Sequence, residues 1–374
     1  MAAGLFSVVS IFLWTLFYSF GWTTQPKFMT QIQWHAHEMV FGYAMAVVAG
    51  FLLTAVKNWT GIKTISGLPL FSLLLLWFLA RLAPFVNSDI SLVVSASLDC
   101  LFISGLIIAL AIPVFKARQW KQIGILSKVL LILISNIVFY AGLNGFIEDG
   151  VRWGLYGGLY LILALIFMMA RRVIPFFIEK GLGGTIRVQN SRLLDISSLV
   201  LFLLFMVADI TRPDGLTTMI LSAILFILHS LRLIGWYCKG MWRVPMLWSL
   251  YIAYCFLVLG FALKVATWFF GISPFLSVHA FTYGGIGLMT LGMMSRVALG
   301  HTGRDINQPP LLIPWAFMIL ALGSIARVIL PIIAPQQYML WIMIAQISWI
   351  TAFSVFFITY FPILSKPRID GQTG

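Results

Sequence analysis

"QIQWHAHEMVFGYAMAVVAGFLLTAVKNWTG" runs from Gln31 to Gly61. Between Met39 and Val56 it contains no charged residue. An α-helix needs about 20 mostly apolar residues to cross a hydrocarbon core near 30 Å thick. This stretch meets that length, and Lys57 closes it on one side. On the other side stand His35, His37 and Glu38, three ionisable residues at the head of an apolar span.

The pattern repeats along the chain. Of the 374 residues, 61% are hydrophobic and 9% charged, where soluble domains carry about 25% charge. So few charges cannot cover so much apolar side chain in water. The reading is all-α: a polytopic membrane protein whose helices satisfy their own backbone hydrogen bonds in lipid. Hydropathy predicts about twelve transmembrane helices, near 4–21, 35–56, 67–86, 90–115, 123–144, 153–170, 193–210, 215–235, 245–269, 274–296, 311–331 and 337–363. Residues 1–374 read as one transmembrane domain with no soluble domain. The first apolar run, at the N-terminus, lacks a basic leader and a clear cleavage site, so it reads as a retained span. The longest connection, about 171–192, suggests a short interfacial helix at Pro175, Phe176 and Phe177.

The net charge of +13 follows from a one-sided distribution of the 24 Lys and Arg and not from nucleic-acid binding. Given twelve spans, one side carries most of them, and the opposite connections hold only Lys27, Arg152 and Arg212. The basic side faces the cytoplasm, so both termini are expected there. Cys100, Cys238 and Cys255 form no CxxC or CxxCH, which points away from a disulfide scaffold and from covalently attached haem.

With that orientation, His35 and His37 open span 2 and His279 opens span 10, all at the outer side. Arg81, Lys264 and Arg327 lie in the same outer half, and Asp99 and Asn136 sit deeper. Ionisable residues in a bilayer are costly and usually face the protein interior. Singly, each is more often an interfacial or snorkelling residue; three histidines and three cations at one depth suggest a site. Imidazole ligates haem iron, copper and zinc. If His35 and His37 are both helical they point about 200° apart and serve different faces. If the helix begins only at Glu38, the pair can chelate one ion from an extended segment. A haem here would need cations for its two propionates, and Arg81, Arg327, Lys264 and Arg152 are near the right depth. There is also an internal echo. His37, Gly42, Gly50, Thr60 and Gly61 match His279, Gly284, Gly292, Thr302 and Gly303 at one constant offset. Duplication of six spans would pair span 2 with span 8, so the match marks two helices with similar jobs, or chance.

Three segments carry a family likeness: "WHAHEMVFGYAMAVVAGFLLTAVKNWTG" (Trp34 to Gly61), "RRVIPFF" (Arg171 to Phe177) and "VHAFTYGGIGLMTLGMMSRVALGHTGR" (Val278 to Arg304). They resemble the signature segments of the NnrS family, and the likeness covers nearly the whole chain. It implies a bacterial inner-membrane protein of the nitric oxide response that binds haem and copper. By position, His35, His37, Glu38, His279, His301 and Arg304 match the family's motif residues, without saying which ligates which metal. More distantly, the chain resembles the main subunit of haem–copper oxidases, also with twelve spans and haem histidines on spans 2 and 10. Here the H-x-H is on span 2 and the single histidine on span 10, the reverse order. Spans 6 and 7 hold no histidine for that family's copper site.

The expectation is therefore a non-covalent haem b near the periplasmic face, between spans 2 and 10. His35, His37 and His279 are its candidate ligands, with Glu38 orienting an imidazole or taking protons. Arg81, Arg327 and Lys264 are the candidate propionate partners, and nitric oxide is the expected small-molecule ligand. No residue identifies an electron donor or a defined reaction. Two other classes stay open. One is a transporter with Asp99, Asn136 and His229 along a path; the other is an assembly factor that hands on copper or haem.

Overall fold

A computed structural model describes residues 1–374 apart from 24, 25, 87, 185, 370 and 372–374. Among the described residues it is helical throughout, with no strand. In chain order come α1 (Ala2–Phe20), α2 (Gln31–Thr60), α3 (Leu68–Phe85), α4 (Ser91–Lys116), α5 (Trp120–Leu143) and α6 (Gly150–Gly181). Then follow α7 (Arg192–Thr211), α8 (Leu216–Trp236) and α9 (Pro245–Phe270). The helix α10 is built of Pro274–His279, a π-helical stretch Ala280–Gly287, and Leu288–His301. The last two are α11 (Leu312–Ile333) and α12 (Pro335–Leu364).

Eleven of these helices, all but α10, are long and apolar enough to cross a bilayer. In α10, His279, two threonines and closely spaced glycines dilute the apolar content. The outer faces fit lipid as solvent. Leu74, Leu75, Phe78 and Leu79 of α3, with Ile108 and Ile112 of α4, remain 40–60% exposed, which water would penalise and acyl chains do not. The protein is thus a multi-pass membrane protein.

One connection differs from expectation. The stretch from 171 is not a loop with a separate interfacial helix, because α6 continues through Pro175 to Gly181. Hydropathy marks where lipid ends, whereas a helix satisfies its backbone beyond that point as well. Arg171, at the start of the extension, pairs with Asp195 at 2.9 Å.

The chain forms two compact units. One comprises Leu13–Leu165, and the other comprises Ala3–Phe12 with Ile166–Gly374. In the first, Phe17, Met29 and Trp34 form an apolar cluster, with Trp34 edge-on to Phe17 at 5.1 Å. In the second, α9 and α10 pack ring against glycine. Gly260 of α9 faces the Phe281 ring, and Gly284 of α10 faces Phe256. A Cβ at Gly284 would lie 2.3 Å from the Phe256 ring, inside any tolerable contact. Such glycines let helix backbones approach in membranes, where packing replaces the hydrophobic effect as the driving force.

This contact is testable. Gly284→Ala overpacks the α9–α10 interface and should cost about 1–3 kcal/mol. Gly50→Ala adds a methyl with nothing within 4 Å. In detergent, the first variant should melt several degrees below the parent and the second within error of it.

Candidate functional site

Helix α2 begins with a reciprocal cap. Thr30 Oγ1 accepts from the Gln33 backbone N–H, and Gln33 Oε1 accepts from the Thr30 N–H at 2.8 Å. Both His35 and His37 are therefore helical, in the segment Gln31–His37, and the extended chelating arrangement is not adopted. The two rings part company as the helical period requires. His35 stacks on the Trp14 indole, centroids 4.3 Å apart and planes 15° apart. His37 turns inward and is 1% exposed.

Directly after His37 the helix widens into a π stretch, Glu38–Ala44. Such stretches are rare and frequently mark functional sites. Here Trp77 of α3 donates its Nε1–H to the Gly42 carbonyl within it, at 3.0 Å. His37 and Glu38 then both belong to one buried cluster. The Nδ1 of His37 lies 3.2 Å from Glu38 Oε1, and its Nε2 lies 3.1 Å from Asn136 Oδ1. Asp99 Oδ2 is 3.5 Å from the same Nε2. The Arg81 guanidinium donates to both Glu38 oxygens at 2.8 Å and also to Asp99 Oδ1. Tyr140 donates its hydroxyl to Asp99 Oδ2 at 2.7 Å. The cluster thus ties together α2, α3, α4 and α5. Glu38 and Asn136 thus close in on both nitrogens of His37.

The other unit holds a second histidine at the same kind of junction. His279 ends the helix Pro274–His279, and the π stretch Ala280–Gly287 follows at once. Its Nδ1 donates to the Phe275 carbonyl at 2.7 Å. Its Nε2 accepts from Arg327 Nη2 at 3.0 Å. A guanidinium has no lone pair to give. The Nε2 must therefore be the acceptor, and the proton sits on Nδ1. A backbone carbonyl on one nitrogen and a lone pair on the other is the arrangement that orients metal-binding histidines.

The sequence echo thus corresponds to a shared local structure. In both helices a histidine precedes a π stretch. Each then ends on a threonine whose hydroxyl donates to the carbonyl four residues back, Thr60 to Val56 at 2.7 Å and Thr302 to Ala298 at 2.8 Å. A left-handed glycine follows each, Gly61 at φ 70° and Gly303 at φ 73°. The helix after each carries an Ala-Arg pair a few residues before a proline: Ala80–Arg81 with Pro84, and Ala326–Arg327 with Pro331. In each unit that arginine reaches back to the preceding helix.

The remaining predicted residues make other contacts. Lys264 pairs with Asp209 at 2.5 Å. The His301 carbonyl accepts from Arg368 at 3.0 Å, and Arg304 reaches the Thr302 carbonyl at 3.4 Å. His229 is buried in another cluster, its Nδ1 2.6 Å from the Tyr254 hydroxyl and its ring stacked on Phe167 at 4.4 Å. Arg232 donates to that hydroxyl at 3.0 Å, to Asp195 at 3.0 Å and to Ser198 at 2.9 Å. Tyr140, Tyr254 and Asp195 complete these networks and were not singled out from sequence. Among the described residues no group of three or more His, Cys, Asp or Glu is arranged to hold a metal ion.

Removing one partner from a buried ion cluster strands the others and typically costs about 3–5 kcal/mol. Arg81→Ala leaves Glu38 and Asp99 facing each other without their cation. The expected outcome is a marked fall in monodisperse protein by size-exclusion chromatography, with His35→Ala much closer to the parent.

A search of curated proteins finds no match to the chain. The family model described as "NnrS protein" matches residues 1–368, nearly the full length and including all three signature segments. The chain belongs to the NnrS family.

Proposed function

We propose that this protein is a haem-binding inner-membrane protein of the nitric oxide response, with copper as a second metal, and that His279 is a ligand to the iron. Family membership supports the haem, the copper and the link to nitric oxide. The single observation that carries the residue assignment is the His279 imidazole, whose Nδ1–H is held by the Phe275 carbonyl and whose Nε2 lone pair, here accepting from Arg327, would pass to the iron as Arg327 turned to a propionate. Those groups fit a residue that would hold a non-covalent haem b through its imidazole.

Each residue then has a physical task. The Phe275 carbonyl fixes the tautomer and the ring orientation. Arg327, already beside the imidazole, is the cation suited to a propionate. His35, half-buried against Trp14, is the second candidate ligand. His37, Glu38, Arg81 and Asp99 act instead as the scaffold that holds their four helices, since their polar atoms already serve one another. Lys264, paired with Asp209, is the weaker candidate for a propionate. Haem supplies an iron to which nitric oxide can bind. The chain's part is to hold that group in the membrane and to set its orientation. Basic residues gathered on one side support cytoplasmic termini and a haem near the periplasmic face. The copper ligands are left unassigned.

Protein purified from a haem-sufficient host should show a Soret band, a pyridine haemochrome of the b type, and a spectral change on adding nitric oxide. His279→Ala should lose most of the Soret absorbance while keeping its elution volume. Arg327→Ala should retain several-fold less haem. A parent protein without a Soret band sinks the proposal, and full haem retention by His279→Ala sinks the ligand assignment.

A further inference from the structure

The buried cations of the second unit are not treated alike. Arg232 meets Asp195, and Lys264 meets Asp209. Arg296 of α10 is 6% exposed, yet among the described residues no carboxylate or other hydrogen-bond acceptor meets its guanidinium. Its contact is the ring of Phe177 on α6, with Cζ 3.6 Å from the centroid. An aromatic face stabilises the positive charge but accepts none of the five N–H donors in the usual way. Nη1 in particular is buried and unpartnered.

The surroundings narrow what would complete it. Phe177 adjoins Phe176, ring centroids 5.8 Å apart, and Phe176 is 55% exposed. Lys180 sits over the Phe176 ring at 5.8 Å. Two cations thus flank one aromatic pair, one buried and one exposed. The nearby carboxylate, Glu179, is turned to the Val188 backbone N–H at 3.0 Å. This contact also joins two of the three signature segments, Arg171–Phe177 and Val278–Arg304, through residues to which the proposed haem function gives no role.

We propose that Arg296, with Phe177, Phe176 and Lys180, forms an oxyanion site at the basic end of this unit, taking a phosphate group. A planar guanidinium matches two phosphate oxygens at once. The exposed Phe176 ring, next to Phe177, suits the glycerol and acyl part of an anionic phospholipid. Inorganic phosphate shares the same chemistry without the acyl part. The site does not depend on the haem reading.

The test is thermal stability in nanodiscs of phosphatidylcholine, alone or mixed with phosphatidylglycerol, and in the neutral discs with added inorganic phosphate. The parent should melt several degrees higher with phosphatidylglycerol, and Arg296→Gln should lose at least half of that gain. Lys180→Ala should lose part of it, and Lys63→Gln, a basic residue elsewhere, should keep it. A gain from inorganic phosphate in neutral discs assigns a free oxyanion, and a gain from phosphatidylglycerol alone assigns the lipid. If Arg296→Gln does not fold, Lys180→Ala on the same assay decides. A parent that responds to neither probe overturns the site, as does a full lipid gain in Arg296→Gln or, in its absence, in Lys180→Ala.

Discussion

A guanidinium buried in a low-dielectric interior is costly unless anions meet it, and Arg81 shows what that demand organises. Its two terminal nitrogens hold Glu38 from α2 and Asp99 from α4. Those carboxylates in turn engage His37 and Tyr140, bringing in α5. Buried ion clusters are poor sources of net stability, but they are intolerant of mispairing. Four helices are therefore set in register by one cation. The same register carries His35 to the other face of α2, where it meets Trp14.

The second unit uses the same local grammar with different electrostatics. A histidine precedes a π stretch, and the following helix returns an arginine. Around His37 the ring nitrogens face oxygens, whereas His279 Nε2 faces a donor. The two units thus share a local motif and bond its histidine differently, to oxygens in one and to an arginine in the other.

Placement of charge also bears on the competing readings. A transport path calls for polar groups strung through the bilayer. Asp99 and Asn136 share one closed cluster, while His229 belongs to another with Arg232 and Tyr254. Each of these groups is already bonded to neighbours in its own cluster. That arrangement favours fixed frameworks over a continuous line of exchange sites.

Hydropathy alone determined the helical membrane class, because a chain with 9% charge has no other way to hide its backbone and apolar side chains. The signature segments determined the family, and the helical period separated His35 from His37. Three things depended on tertiary structure. Helix α6 runs past its apolar run because hydrogen bonding, not polarity, ends a helix. Arg81 serves carboxylates distant in sequence, and no local pattern announces which cation meets which acid. Finally, the tautomer of His279 is set by a guanidinium on another helix, so which of its nitrogens carries the proton is a property of packing and not of the H-x4-G spacing.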